Sequence, residues 1–340
     1  MSSLCGRAFQ EPLNLFVRVL PMRIGIHNAD HTAFPNLALM KLSAWHKANG
    51  DDVRLYDPLF ASHFDKVYSS KVFTFTPEDR ELIGKIERGG TGYKLQHTLP
   101  DEIEHSCPDY TLFNTPYSLG FVTRGCPRQC AWCLVPKKEG TIREHADVEE
   151  FLRHKDVVLM DNNILAHEHG IKQIEKLARL GVKVDFNQGL DARLLDDHAA
   201  QLLSKLKWIR FIRLSCDTSN QLPVIQKAVT LLRWYNANPA QIFVYCLVQD
   251  VEEALERVKA LKGMYVTIFA QPYRDSENNE PTQEQKDFAR WVNHIAIFKS
   301  VLWQNYKKNP NNAFAADFEK GAEQIQLLSS SESPAPFSRG

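Results

Sequence analysis

The segment SLGFVTRGCPRQCAWC, residues 118–133, decides how this 340-residue chain folds and which chemistry it carries. Its first half is an apolar strand candidate. Its second half places three of the chain's seven cysteines, Cys126, Cys130 and Cys133, within eight positions. At this cysteine frequency, two further cysteines at set offsets from a first arise by chance roughly once in a few thousand cases. The spacing therefore indicates that the three thiols bind one shared metal centre.

The composition is that of an ordinary soluble globular protein, with 44% hydrophobic and 24% charged residues. Lysine plus arginine and aspartate plus glutamate number 41 each, so no global positive field attracts nucleic acid. No apolar run reaches the roughly 18 residues of a membrane span, and no cleavable signal pattern opens the chain. Seven cysteines, three of them clustered, fit a reducing compartment, and we expect a cytoplasmic protein.

The first part of the chain predicts a small α/β domain, residues 22–115, after a loose extension, 1–21. Met22 opens a strand-like apolar run and is the expected functional start. The run MRIGIHN predicts a strand, and NLALMKLSAWHKANG predicts an amphipathic helix that ends at Gly50. DVRLYDPLF and FDKVYSSKVFTF are two more strand candidates. ERGGTGYKL lacks the lysine and following helix of a phosphate-binding loop and is interpreted as a turn.

Residues 116–305 predict an α/β fold with a partial or full parallel barrel, because six apolar strand candidates alternate with short helical stretches. The candidates are 118–125, 156–163, 182–189, 209–217, 241–250 and 264–272. Functional side chains gather at the carboxyl ends of such strands. Segment 289–308 fits an amphipathic closing helix or a nucleic-acid surface. The serine- and proline-rich tail, 306–340, is predicted to be disordered.

The cysteine spacing favours an iron–sulfur cluster over zinc or over buried structural thiols. A structural zinc site needs four ligands, and the available histidines, His145 and His154, fall in a segment predicted to be helical. An iron–sulfur cluster takes thiolates from closely spaced cysteines in a loop. Three thiolates on a 4Fe-4S cluster leave one iron open for an exogenous chelating molecule.

C-x3-C-x2-C after the first strand of a β/α barrel, with Trp132 before the last cysteine, resembles the radical S-adenosylmethionine superfamily. The resemblance covers residues 116–305 and implies a 4Fe-4S cluster on Cys126, Cys130 and Cys133. It implies that S-adenosylmethionine chelates the open iron through its amino and carboxylate groups. One electron then cleaves this cofactor to methionine and a 5′-deoxyadenosyl radical, with a flavodoxin or ferredoxin as the electron donor.

The resemblance also assigns the S-adenosylmethionine contacts to residues that close the strands. These are Trp132 in the loop, Asp161, Asn162 and Asn163 after the second strand, Gln188 and Arg193 after the third, and Ser215 and Asp217 at the fourth. For some of these residues a purely structural role, in an ion pair or a helix cap, is an alternative. Arg193 can pair with Asp191 or Asp196, and Asp217 can cap a helix, as Asp250 is expected to do for the next one.

Other residues of the barrel region have two interpretations each. Cys216 and Cys246 lie on or beside strands four and five and are candidates for a hydrogen donor or methyl acceptor, although buried strand cysteines are commoner. Arg124 and Arg128 lie beside the cysteines, where their charge would stabilise a reduced, anionic cluster.

The small N-terminal domain is similar to the cobalamin-binding domains that precede many enzymes of this type. Those domains bind cobalt through a histidine in a D-x-H-x-x-G motif. Here NADHTAFPN lacks the glycine, which leaves His27 and His31 as poor cobalt ligands, and we expect a degenerate domain without cobalamin. A methylthiotransferase would need a second cysteine triad, but only Cys5 and Cys107 lie upstream.

The sequence thus predicts a radical S-adenosylmethionine enzyme that modifies an unidentified substrate. Neutral net charge favours a small molecule or peptide over a nucleic acid as that substrate. The alternatives are a non-catalytic iron–sulfur binding or regulatory protein and a cobalamin-dependent radical methyltransferase.

Overall fold

The computed structural model describes residues 20–237, 241–275 and 279–308, and its first layer is a four-stranded parallel sheet. The strands are β1 (Arg23–Asn28), β2 (Asp52–Leu55), β3 (Lys66–Ser70) and β4 (Ile86–Gly89), in the order β2-β1-β3-β4. Helix α1 (Leu37–Ala48) packs on this sheet, and Asn36 caps it by accepting a hydrogen bond from the Leu39 N–H at 3.3 Å. The three predicted strands and the helix are confirmed.

Strand β4 corrects the interpretation of ERGGTGYKL as a turn alone. The strand pairs in parallel with β3 from Ile86 to Gly89, and the turn begins at Gly90, where φ is 94°. A Cβ on Gly90 would lie 2.5 Å from the carbonyl oxygen of Lys71, so the backbone angle and the close approach both require glycine. The strand is short and largely unburied, and it therefore lacks the apolar alternation that identifies strands in a sequence.

The rest of the described chain alternates strands and helices. The strands are β5 (Ser118–Gly120), β6 (Thr123–Arg124), β7 (Arg143–Glu144), β8 (Asp156–Leu159), β9 (Lys183–Phe186), β10 (Lys207–Trp208), β11 (Ile212–Ser215), β12 (Ile242–Val248) and β13 (Thr267–Pro272). The helices are α2 (Asp101–Glu104), α3 (Val135–Glu139), α4 (Glu168–Leu180), α5 (Asp197–Ser204), α6 (Leu222–Trp234), α7 (Val251–Gly263), α8 (Gln283–Asn293), α9 (Ile295–Ser300) and α10 (Trp303–Lys308).

Most of these strands run parallel in two neighbouring sheets. One sheet has the order β10-β9-β8-β5 and the other the order β11-β12-β13. A parallel bridge between Leu190 and Leu214 joins the two sheets. β6 and β7 form a separate antiparallel pair. All six predicted strands are confirmed, and because they are parallel their carboxyl ends lie at the same edge.

Helices cover one face of these strands and bury it in the main hydrophobic core. On β12, Ile242, Val244, Cys246 and Val248 are buried, whereas the alternate residues are half-buried. This period of two separates a face that is packed against helices from a more open face. Among the described residues, no helix combines the length and apolar character that crossing a membrane requires.

Segment 289–308 ends in separate short helices, which corrects the prediction of one closing helix. His294 leaves helical geometry, with φ −92° and ψ 93°, and its side chain accepts a hydrogen bond from the Ile297 N–H at 3.4 Å, which starts α9. Tyr306 is 1% exposed in the main core, so the predicted tail boundary at 306 falls inside a packed helix. Residues 309–340 lie outside the described part of the chain.

His145 and His154 lie outside any helix, contrary to the prediction of a helical segment there. The helical pattern belongs to one short 3-10 turn, Val148–Glu150, which Asp147 caps. His145 Nε2 lies 3.1 Å from a carboxylate oxygen of Glu104, and His154 Nδ1 lies 3.3 Å from Ser118 Oγ. Both histidines therefore have partners away from the cysteines.

Arg257 on α7 joins the ends of two strands and is fully buried. Its guanidinium donates to the carbonyl oxygens of Cys216 at 2.5 Å and Leu247 at 2.7 Å, and it pairs with Glu253 at 2.7 Å. These carbonyls lie at the carboxyl ends of β11 and β12. One side chain thus satisfies backbone groups that the sheet leaves without partners.

Arg257→Met should lower the free energy of unfolding by about 3 kcal/mol, because two carbonyls and Glu253 lose their donor. Lys259→Met, on the same helix but exposed and paired with Glu256, should change it by less than about 0.5 kcal/mol. Urea denaturation followed by circular dichroism measures both variants. Equal effects would contradict the structural role of Arg257.

Candidate functional site

The cysteine loop, residues 125–134, lies between β6 and α3. All three of its thiols are free and partly exposed. The Cys126 N–H donates to the Gly140 carbonyl at 3.2 Å, and the Cys133 N–H donates to the Cys130 carbonyl at 3.0 Å. Gly125 starts the loop with φ 82°, and a Cβ there would lie 2.2 Å from the Thr141 carbonyl oxygen, so glycine is required.

Asp161, predicted to contact S-adenosylmethionine, instead holds the strand segment that leads into the cysteine loop. It is 4% exposed, and its Oδ1 accepts hydrogen bonds from the N–H groups of Val122 at 3.2 Å and Thr123 at 2.5 Å and from the Thr123 hydroxyl at 2.6 Å. Burial outweighs these donors and raises the pKa of Asp161 to about 6. The side chain therefore fixes the backbone of the chain itself.

Asn162 acts on the same loop through Glu139, a residue that sequence analysis missed. Asn162 Nδ2 donates to Glu139 Oε2 at 2.8 Å, and the Gly125 N–H donates to the same oxygen at 3.0 Å. Arg124 pairs with the other oxygen at 3.1 Å. Nothing in the KKEG segment distinguishes Glu139 from a solvated charge, so only the folded chain reveals its role.

Asp191 gathers three groups around the loop and is nearly buried. Its carboxylate accepts hydrogen bonds from Arg128 Nε at 2.9 Å, Arg193 Nε at 2.7 Å and Asn163 Nδ2 at 3.1 Å. Burial opposes ionisation of Asp191, but the hydrogen bonds from the two arginines outweigh it and lower the pKa. The proposed pairing of Arg193 with Asp191 is confirmed, and the Arg193 side chain also lies close to Cys130.

Asn163 has an unsatisfied buried group beside the thiols. Its Nδ2 lies 3.1 Å from Asp191 Oδ2 and 3.5 Å from Cys126 Sγ, and both of those atoms are acceptors. This arrangement fixes the orientation of the amide, because the reverse orientation would place an oxygen against a carboxylate. Its Oδ1 is buried and has no hydrogen-bond partner within the described part of the chain. A buried acceptor without a donor is costly, so it indicates a position for a bound donor.

Trp132 connects the cysteine loop to the end of β11. Its side chain lies close to Asp217, whose Oδ1 accepts a hydrogen bond from the Leu247 N–H at 3.2 Å. Burial raises the pKa of Asp217 and outweighs the hydrogen bond from Leu247. The capping alternative for Asp217 is wrong, because Thr218 caps the 3-10 turn that follows, in a capping box with Gln221. The predicted cap of α7 by Asp250 is confirmed, because Asp250 Oδ1 accepts a hydrogen bond from the Glu253 N–H at 2.8 Å.

A cleft of about 380 Å³ opens next to Asp217, at the carboxyl ends of β11 and β12. It is lined by Asp217, Thr218, Ser219, Asn220, Gln249, Asp250 and Glu253. Ser215 closes β11 beside it and is half-buried, whereas Gln188 is exposed beyond β9. The predicted contact residues thus lie around one edge of the parallel strands, and Gln188 and Arg193 are exposed there.

Cys216 and Cys246 lie on the face that is packed against helices and are fully buried. Burial raises the pKa of the Cys216 thiol to about 12 and that of Cys246 to about 11. Arg257 Nη1 lies 3.2 Å from Cys246 Sγ. Both groups are therefore neutral thiols near neutral pH, with the contacts of core residues.

No protein-family model matches this chain, and no curated protein matches it. The crystal structure of Streptococcus suis SuiB bound to S-adenosylmethionine is similar over 53% of this chain and 46% of that chain, with 12% sequence identity and a TM-score of 0.37. A likeness with so low a TM-score carries no weight for fold or function.

The pH dependence of stability should reveal the buried carboxyl of Asp161. Because its pKa rises from 3.8 to about 6 on folding, the stability it contributes is present below about pH 4 and is lost as the pH rises through 6. Each pKa unit corresponds to about 1.4 kcal/mol, so the wild type should lose about 3 kcal/mol relative to Asp161→Asn between about pH 4 and about pH 7. Urea denaturation of both proteins measures this difference. A pH-independent difference would contradict the raised pKa.

Proposed function

We propose that this chain is a radical S-adenosylmethionine enzyme whose cluster is held by Cys126, Cys130 and Cys133. The unsatisfied Oδ1 of Asn163, buried beside Cys126, carries the proposal. An acceptor next to a triad of free thiols fits a ligand that bears an amino group and lies against the cluster. S-adenosylmethionine has such an amino group on its methionine end.

The donor set around the thiols fits a 4Fe-4S cluster. The thiols lie in one loop, as the ligands of such clusters do. The Arg128 N–H and the Asn163 amide both approach Cys126 Sγ at 3.5 Å, and the Arg193 side chain lies close to Cys130. N–H groups directed at cluster sulfurs and nearby positive charge stabilise the reduced state. When bound, the cluster would pass one electron to S-adenosylmethionine and so break its C–S bond, giving methionine and a 5′-deoxyadenosyl radical.

The residues of the chain bind and orient the cofactor in this proposal. Asn163 Oδ1 accepts from the amino group. Arg193 uses two of its five N–H donors on Asp191, which leaves others for the methionine carboxylate. Asp217 faces the ribose from the lining of the cleft beyond Trp132, and Ser215 faces it from beside that cleft. Asp161, Asn162 and Asp191 are positioning residues that hold the loop.

The proposal also includes the architecture and the partners. We assign residues 116–305 to a partial barrel, built from the two parallel sheets that the Leu190–Leu214 bridge joins, and residues 22–115 to a small α/β domain without cobalamin. A flavodoxin or ferredoxin supplies the electron. The half-buried face of β12, with Phe243 and Tyr245, is available to a small molecule or peptide substrate.

Anaerobic reconstitution with iron and sulfide tests the proposal. After reduction with dithionite and addition of S-adenosylmethionine, the wild type should form 5′-deoxyadenosine, and Cys130→Ala should form none. Cys107→Ala is the matched control, because this free cysteine lies outside the loop, and it should retain the wild-type rate. If the wild type holds an intact cluster but forms no 5′-deoxyadenosine, even with candidate substrates present, the result would favour a non-catalytic iron–sulfur binding protein.

Asn163→Ala should weaken binding of S-adenosylmethionine about 10- to 100-fold while cluster content stays near that of the wild type, because a hydrogen bond to a charged amino group is lost. The exposed Asn305→Ala serves as the control and should bind normally. Equilibrium binding to the reconstituted protein and iron analysis measure both properties. Wild-type affinity of Asn163→Ala would contradict the assignment of its Oδ1.

A further inference from the structure

We propose that His27, His31 and Asp79 form a second metal site, which binds Zn²⁺ at the edge of the first sheet. One ligand atom from each of these side chains lies within 4.8 Å of the others. The site involves no cysteine of the loop and is independent of the proposed radical chemistry. It needs no cobalamin, for which these histidines lack the surrounding motif.

The three side chains converge from separate segments. His27 lies near the carboxyl end of β1, His31 follows three residues after β1 ends, and Asp79 lies between β3 and β4. His27 Nε2 is 3.1 Å from Asp79 Oδ2, and the rings of His27 and His31 are 5.8 Å apart and perpendicular. In parallel α/β sheets this edge is where ligands bind.

A hydrogen-bonded shell orients the buried histidine. His27 is 6% exposed, and its Nδ1 lies 2.9 Å from Ser69 Oγ, which is 3.1 Å from the Tyr93 hydroxyl. In the metal-free chain His27 Nε2–H donates to the Asp79 carboxylate, and Nδ1 accepts from the Ser69 hydroxyl. A metal ion bound at Nε2 displaces that proton, and Nδ1–H then donates to Ser69 Oγ. Histidines that bind metals show this pattern, in which the second ring nitrogen donates to an oxygen.

Asp79 and its loop are held in place as well. Asp79 Oδ1 accepts from the Glu81 N–H at 2.9 Å, which leaves Oδ2 directed at His27. Asp30 fixes the start of the same loop by accepting from the Val72 N–H at 2.6 Å and the Thr76 hydroxyl at 2.5 Å. The loop therefore presents the carboxylate in a defined position.

Two imidazole nitrogens and one carboxylate oxygen are a ligand set for zinc, whereas Mg²⁺ and Ca²⁺ prefer oxygen ligands throughout. Around a tetrahedral zinc with ligands at about 2.1 Å, ligand atoms lie about 3.4 Å apart. The three ligand atoms lie within 4.8 Å of one another in the metal-free chain, so they must come closer together to bind zinc. His31 is exposed, and its ring can move inwards by this small distance. A water molecule completes the four ligands.

Titration with Co²⁺, a spectroscopic substitute for Zn²⁺, tests the site in the full chain carrying Cys126→Ser, Cys130→Ser and Cys133→Ser. We expect one Co²⁺ per chain, with visible absorption typical of four ligands and without the near-ultraviolet band of thiolate ligation. Zn²⁺ should displace the Co²⁺, and Mg²⁺ should not.

Added to this background, His31→Ala and Asp79→Asn should each weaken Co²⁺ binding more than tenfold. Both residues are at least partly exposed, so neither change should unfold the domain, which circular dichroism checks. His63→Ala, an exposed histidine between β2 and β3, is the matched control and should bind normally. The proposal is overturned if the background protein binds no Co²⁺, or binds it only with thiolate absorption. It is also overturned if both variants bind Co²⁺ as tightly as the background protein.

Discussion

Buried carboxylates hold the cysteine loop against the strand ends, and the arrangement of the candidate site depends on this constraint. A loop with three thiols has no reason to adopt one shape by itself, because free thiols form only weak hydrogen bonds. Asp161 fixes the strand before the loop, Glu139 fixes its first residue and Asp191 fixes Arg128 within it. The loop is thus organised by contacts that do not involve the thiols.

The N-terminal layer extends this support. Lys41 of α1 is buried and pairs with Glu104 at 3.0 Å, and Glu104 also contacts His145, which follows β7. Burial opposes ionisation of Glu104, but His145 and Lys41 outweigh it and lower its pKa to about 2. Because β7 pairs with β6 at the base of the loop, this network of charged side chains reaches from α1 to the strand pair that precedes the cysteines.

The larger features of the fold could be predicted from sequence because each has a period that burial imposes. Strands such as β12 alternate between a buried and a half-buried face, and α1 ends where Gly50 permits a positive φ. β4 escaped prediction because little of it is buried. The break at His294 escaped because a histidine that caps a helix has no distinctive pattern among its neighbours.

The candidate site was predictable in its residue types and less so in its roles. The cysteine spacing is a local pattern, and LMDNN located the polar end of β8. Which of its three polar residues faces a ligand depends on their contacts across the fold. Asp161 and Asn162 bind the chain itself. Among the described residues, Asn163 alone of the three keeps a buried acceptor without a hydrogen-bond partner. Glu139 could be identified only from the folded structure.

Mössbauer spectroscopy of protein reconstituted with iron-57 tests the central claim most directly, since it observes each iron of the cluster. Three cysteine ligands leave one iron without a protein thiolate. The account predicts that S-adenosylmethionine changes the signal of this one iron, a quarter of the total, and leaves the other three unchanged. Four equivalent irons whose spectrum does not respond to S-adenosylmethionine would contradict it.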